Sequence, residues 1–119
     1  MRKRGKKPRK SKADWYAVRC LFHWREPYDT YEERITIWRA TSLEEAVELA
    51  EQEAAEYCET GPFEYLELAQ AYHLAEEAIQ PGAEVFSLLR DSDLEPKAYL
   101  DTFFDTGTER QPEWAEHHS

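Results

Sequence analysis

Two stretches rich in aromatic and β-branched residues, WYAVRCLFHW at 15–24 and YEERITIWRA at 31–40, flank the turn-forming segment REPYDT with its Pro27 and Asp29. That arrangement predicts an antiparallel β-hairpin. Nothing else in the chain restricts the fold as strongly, because strand side chains alternate between faces and the pairing register decides which set is buried. A register symmetric about the 25–30 loop sets Trp24 opposite Tyr31 and Cys20 opposite Ile35. One face then carries Tyr16, Val18, Cys20, Phe22 and Trp24 with Tyr31, Glu33, Ile35 and Ile37, and this is the expected core face.

The same register draws Glu33 inward. A lone carboxylate in a core is costly unless it is protonated or paired. The candidate cations are Arg39, on the same face, and Arg90, from a later expected strand; Glu33, Arg39 and Arg90 thus form a candidate ligand or structural polar site. A position at the sheet rim, where the carboxylate reaches water and guards an edge, is the simpler explanation. The opposite face carries Trp15, Arg19, Leu21, Glu32, Arg34 and Trp38, which is neither a clean solvent face nor a clean core. Tryptophan and arginine are enriched in protein interfaces, so these six residues are the candidate interface and a homodimer the expected assembly.

TSLEEAVELAEQEAAEYCET follows with apolar residues at helical spacing from Leu43 to Cys58. Thr41 with Glu44, or Ser42 with Glu45, forms a capping box, and Gly61-Pro62 ends the helix. Seven glutamates and no basic residue between 42 and 60 make its outer face negative. In 63–79, FEYLELAQAYHLAEEAI, residue propensity favours a helix although Leu66, Leu68, Tyr72 and Leu74 alternate as in a strand. AEVFSLLR, 83–90, reads as a strand, and SDLEPKAYLDTFF as a short helix with Pro96 in its first turn and Gly107 beyond its end.

The formal charge of −10 conceals an asymmetry. Residues 1–12 hold eight of the 15 Lys and Arg and no acid, whereas from Ala13 onward seven basic residues face 25 acidic ones, a charge of −18. The first twelve residues are therefore expected to be a disordered basic tail, with residues 13–107 a single domain and 108–119 a polar C-terminal tail. The tail offers weak, salt-sensitive contact to nucleic acid but no aromatic stacking platform. The acidic body favours a basic protein partner. Two cysteines without CxxC spacing fit a reducing cytoplasm, and no segment approaches a membrane span.

Chemistry-bearing motifs are sparse. Cys20 and His23 are separated by an odd number of strand positions and point to opposite faces, so they do not form a dyad. Asp91, Asp93 and Glu95 alternate acids that suit a hard cation, yet Ser92 and Asp93 read more simply as helix caps. Four glycines in no phosphate-binding arrangement leave no cofactor to expect.

The segments WYAVR, YEERITIWRA, SLEEAVELAE and EVFSLLRDSDL together resemble an uncharacterised bacterial family, number four-two-eight-eight among the domains of unknown function, over roughly Asp14 to Gly107. The resemblance implies two strands, a helix and two more strands, which tips 63–74 towards strand; it implies no activity. The expected fold is α+β: a four-stranded antiparallel sheet with the acidic helix on its core face and a short C-terminal helix. The expected function is a small non-enzymatic interaction module. An acidic inhibitor or immunity-type protein that binds a basic enzyme surface is the second reading. An enzyme or ligand-binding domain using Glu33 with Arg19, Arg34 or Arg90 is the third.

Overall fold

A computed structural model describes residues 12–74 and 79–111. The basic tail up to residue 11 and the last eight residues of the C-terminal tail lie outside the described residues. The chain divides into two compact units, one ending at Ser87 and one beginning at Leu88.

The first unit contains strands Asp14–Trp24 (β1) and Thr30–Ala40 (β2), helix Leu43–Cys58 (α1) and strand Phe63–His73 (β3). The strands form an antiparallel sheet in the order β2-β1-β3. The hairpin and helix follow the sequence expectation, and 63–73 forms a strand against its local propensity. The class is α+β, but the four-stranded sheet is corrected: among the described residues it has three strands, and 83–90 is irregular. Residues 84–86 are held by side-chain contacts to the face of the sheet, which takes the place of pairing at its edge. The Phe86 ring lies 5.8 Å from that of Tyr72 and 5.2 Å from the Arg19 guanidinium, and Tyr72 Oη donates to the Glu84 carboxylate.

Pairing between β1 and β3 is interrupted once. Cys20 is opposite Ala69 and Phe22 opposite Tyr65, so 66–68 bulge out, with Glu67 in the left-handed region at φ 61°. A non-glycine residue there costs of order 1 kcal/mol, and the bulge keeps both Tyr65 and Ala69 on the face that α1 covers.

Why α1 forms and stops is local. Ser42 caps its start, with Oγ accepting from the Glu45 N–H at 3.0 Å, while the Glu45 carboxylate accepts from Thr41 N and Oγ1 at 2.6 and 2.8 Å. These bonds hold the Glu45 carboxyl below the usual carboxylate range. After Cys58, Thr60 N–H bonds to the Tyr57 carbonyl, and the chain turns at Gly61, where a Cβ would lie 2.7 Å from the Phe63 ring. The buried stripe of α1 is Ala46, Ala50 and Ala54, one alanine per turn, which lets the helix approach Val18, Cys20 and Phe22 closely.

The second unit contains a single helical turn, Pro96–Tyr99 (α2), followed by a π-helical turn, Leu100–Phe104. Arg90 lies here, its guanidinium 4.2 Å from the Phe103 ring centre and its Nη1 donating to Tyr99 Oη at 3.0 Å. Among the described residues no helix is long and apolar enough to cross a membrane.

Because the alanine stripe leaves no room, Ala50→Leu is expected to cost about 1–3 kcal/mol in urea unfolding. Ala55→Leu, on the exposed face of the same helix, should change stability by less than about 0.5 kcal/mol.

Candidate functional site

The hairpin pairs Trp24 with Thr30 and Cys20 with Arg34, one residue away from the symmetric register expected from the sequence. One residue reverses every facing on β2. The helix-covered face therefore carries Glu32, Arg34, Thr36 and Trp38, and the open face carries Tyr31, Glu33, Ile35, Ile37 and Arg39. Glu33 is not the inward carboxylate; Glu32 is.

This register is favoured because α1 presents polar partners where β2 needs them. Tyr57 Oη donates to both Glu32 oxygens at 2.9 and 2.8 Å, and Trp24 Nε1 donates to the same carboxylate at 3.2 Å. Arg34 grips Glu53 with a two-pronged fork at 2.9 and 2.8 Å while its guanidinium lies over the Tyr57 ring, 3.8 Å from its centre. Trp38 Nε1 donates to Thr36 Oγ1 at 2.7 Å. On the open side, Tyr31 stacks on His23 at 4.4 Å with an 8° tilt.

The electrostatics of this cluster favour holding over reacting. Burial and then the bond to Glu32 push the Tyr57 hydroxyl up to about 12. Tyr65, which donates to Glu51 at 2.7 Å, is likewise pushed well above the ordinary phenol range, chiefly by burial. Burial pushes the Cys20 thiol up. The hydrogen bonds from Arg34 hold the Glu53 carboxyl below its usual range. At neutral pH the thiol and both phenols are protonated, and none is an activated nucleophile or base.

On the open face Arg19 reaches Glu33 at 3.3 Å and the Gln70 amide oxygen at 2.6 Å, and its buried Nε lacks a hydrogen-bond partner. His23, only 6% exposed, has Nε2 2.9 Å from Asp29 and Nδ1 3.8 Å from Glu64. Both ring nitrogens therefore face carboxylates of the same chain. Arg39 lies over Trp15, 5.3 Å from its ring centre.

The sequence-predicted groups are thus redistributed. Glu33 and Arg39 share the open face but contact different residues, and Arg90 belongs to the second unit, so the three form no common site in either unit. Of the expected interface, Trp15, Arg19 and Leu21 lie on the open face, whereas Glu32, Arg34 and Trp38 lie against α1. Glu53 and Tyr57 were missed; their i, i+4 spacing on a helix facing Arg34 is the signal that marks them. Among the described residues no three His, Cys, Asp or Glu side chains converge to hold a metal ion. Near Asp91 and Asp93, Ser92 Oγ accepts from the Leu94 N–H at 3.1 Å. No family model, curated protein or solved structure matches the chain. The site therefore rests on its own geometry.

Glu32→Gln weakens the charge-assisted bonds from Tyr57 and Trp24 and should cost about 1 kcal/mol in urea unfolding, whereas Glu33→Gln, at an exposed pair, should cost less than about 0.5 kcal/mol. Two pH arms follow from the shifted groups. Glu53 has its folded value below its unfolded one, so its contribution is present above about 4.5 and lost as pH falls further; Glu53→Gln should remove that part of the acid-side loss. Tyr57 is raised instead, so stability should fall as pH rises from about 10 to about 12, and Tyr57→Phe should flatten that arm.

Proposed function

We propose that the chain is a small non-enzymatic interaction module that acts as a homodimer through its open sheet face and the adjoining β2 edge. The observation that carries this reading is the row of β2 side chains left in solvent: Ile35 is 43% exposed and Ile37 40%, with Tyr31 beside them. Isoleucines side by side on an edge strand are a hazard unless covered, and a two-fold axis lets one patch satisfy its own copy. The inward polar groups of β2 are engaged by α1, the buried thiol is inert, and His23 has carboxylates on both nitrogens, all of which favour binding over catalysis. The enzyme or ligand-binding reading keeps one of its pairs, Arg19 with Glu33 at 3.3 Å, while Arg34 lies on the opposite face of the sheet.

The acidic inhibitor is the second reading. It is favoured by Glu44, Glu48, Glu56 and Glu59, exposed along α1 with no basic residue on that helix. Such a row suits a cationic protein surface and repels phosphate backbones. A cytoplasmic location and membership of the uncharacterised bacterial family belong to the same proposal; the order β1, β2, α1, β3 supports the latter, and the lack of a fourth strand among the described residues departs from it.

Sedimentation equilibrium at micromolar concentration should give a mass near twice 14.1 kDa, falling towards the monomer on dilution. Ile37→Glu should remain folded and run as a monomer. A wild-type mass of 14.1 kDa across the whole range would overturn the homodimer.

A further inference from the structure

We propose that two copies join edge to edge, β2 to β2, in one register centred on Thr36, so that their sheets merge into a continuous six-stranded sheet. The inference rests on the homodimer reading and specifies its geometry.

Backbone direction comes first. Leu74 N donates to the Trp15 carbonyl at 3.0 Å, so the odd residues of β1 turn their amides towards β3 and the even ones towards β2. The even residues of β1 pair with even residues of β2. Hence Tyr31, Glu33, Ile35, Ile37 and Arg39 turn their N–H and C=O groups away from β1, along the outer border of the sheet. The two borders differ: β3 is interrupted by its bulge at Glu67, while β2 runs 11 residues with no break in register. Only the β2 border offers a long regular template.

Side chains then select the register. Antiparallel pairing about a two-fold axis requires outward groups to meet outward groups, so the axis passes through a residue position and not between two. Through Thr36 it sets Ile35 opposite the partner's Ile37 and Glu33 opposite the partner's Arg39, and the symmetry repeats both pairings. Four isoleucines form a strip on the open face, closed at each end by an opposite-charge pair. An axis through Ile35 would set Glu33 opposite isoleucine and Tyr31 opposite Arg39. One through Ile37 would set Ile35 opposite Arg39. Both discard the charge match and split the apolar strip. Cross-strand pairs of opposite charge and of β-branched residues are the contacts that stabilise a sheet edge.

Charge reversal in the full chain tests this. Glu33→Lys and Arg39→Glu should each weaken dimerisation about tenfold by sedimentation, and the double variant should return to within about threefold of wild type. Loss of the Arg19 contact within one chain follows from the first substitution alone and cannot be restored by the second. In a Cys58→Ser background, Thr36→Cys should give a disulfide-linked dimer under mild oxidation, since opposed non-hydrogen-bonded residues sit about 4.5 Å apart at Cα. Glu33→Cys, about 20 Å from its own copy in this register, should not. A dimer that is indifferent to charge reversal, or that leaves Thr36→Cys unlinked, overturns the edge pairing and leaves the homodimer standing. A monomer at every concentration overturns both.

Discussion

The fork of Arg34 on Glu53 ties the edge strand of the sheet to the helix that covers it, and the register of the hairpin follows from that tie. With Arg34 inward, Cys20 is its neighbour across the sheet, Glu32 lies one strand period earlier beneath Tyr57, and the isoleucines have nowhere to go but outward. A two-pronged arginine–carboxylate contact with the guanidinium over an aromatic ring is geometrically demanding, and a lysine would not reproduce it. A slip of one residue to the symmetric register would put Ile35 in the place of Arg34 and leave Glu53 facing isoleucine, while Glu33 would take the place of Glu32. The polar layer thus specifies the pairing more sharply than apolar burial alone would.

That specificity costs hydrophobic area. The helix contributes only alanines to the fully buried core, and of the largest fully buried side chains Phe22 and Val18 come from the central strand and Leu74 follows the end of β3. Phe22 is the hub, with Tyr57, Phe63 and Tyr65 rings packed at 5.1, 6.0 and 5.4 Å. Two of these three rings carry hydroxyls satisfied by Glu32 and Glu51, so aromatic packing and the polar network share the same side chains. Removing either function of Tyr57 disturbs the other.

Much of this was legible in the amino-acid order. Aromatic and β-branched density marked the hairpin, and the Ser42 to Glu45 spacing marked the helix start. The facing of β2 was not legible, because counting apolar residues assigns Ile35 and Ile37 to the core. Only the positions of Glu53 and Tyr57, set by how α1 lies on the sheet, make Glu32 and Arg34 cheaper to bury. The expected fourth strand failed for a related reason: in the run 83–90 only Phe86 packs on the open face, and Val85, Leu88 and Leu89 stay exposed, so apolar content alone does not decide edge pairing. The alanine stripe was visible as helical periodicity, but nothing in the periodicity announced how closely the helix would approach.

The topology has a kinetic consequence. The first strand in the chain is the central one, and its second neighbour is far away in sequence: the Arg19 to Gln70 contact spans 51 residues. The hairpin and α1 close short loops and can form early, but one side of β1 waits for the last strand of the sheet. During synthesis that waiting side is a bare edge until residues 63–73 have emerged from the ribosome. Docking of β3 is then the step that pays the long loop-closure entropy, and folding should be rate-limited there and not at the hairpin. Core substitutions in β3 would accordingly change the folding rate more than equally costly substitutions at the hairpin turn.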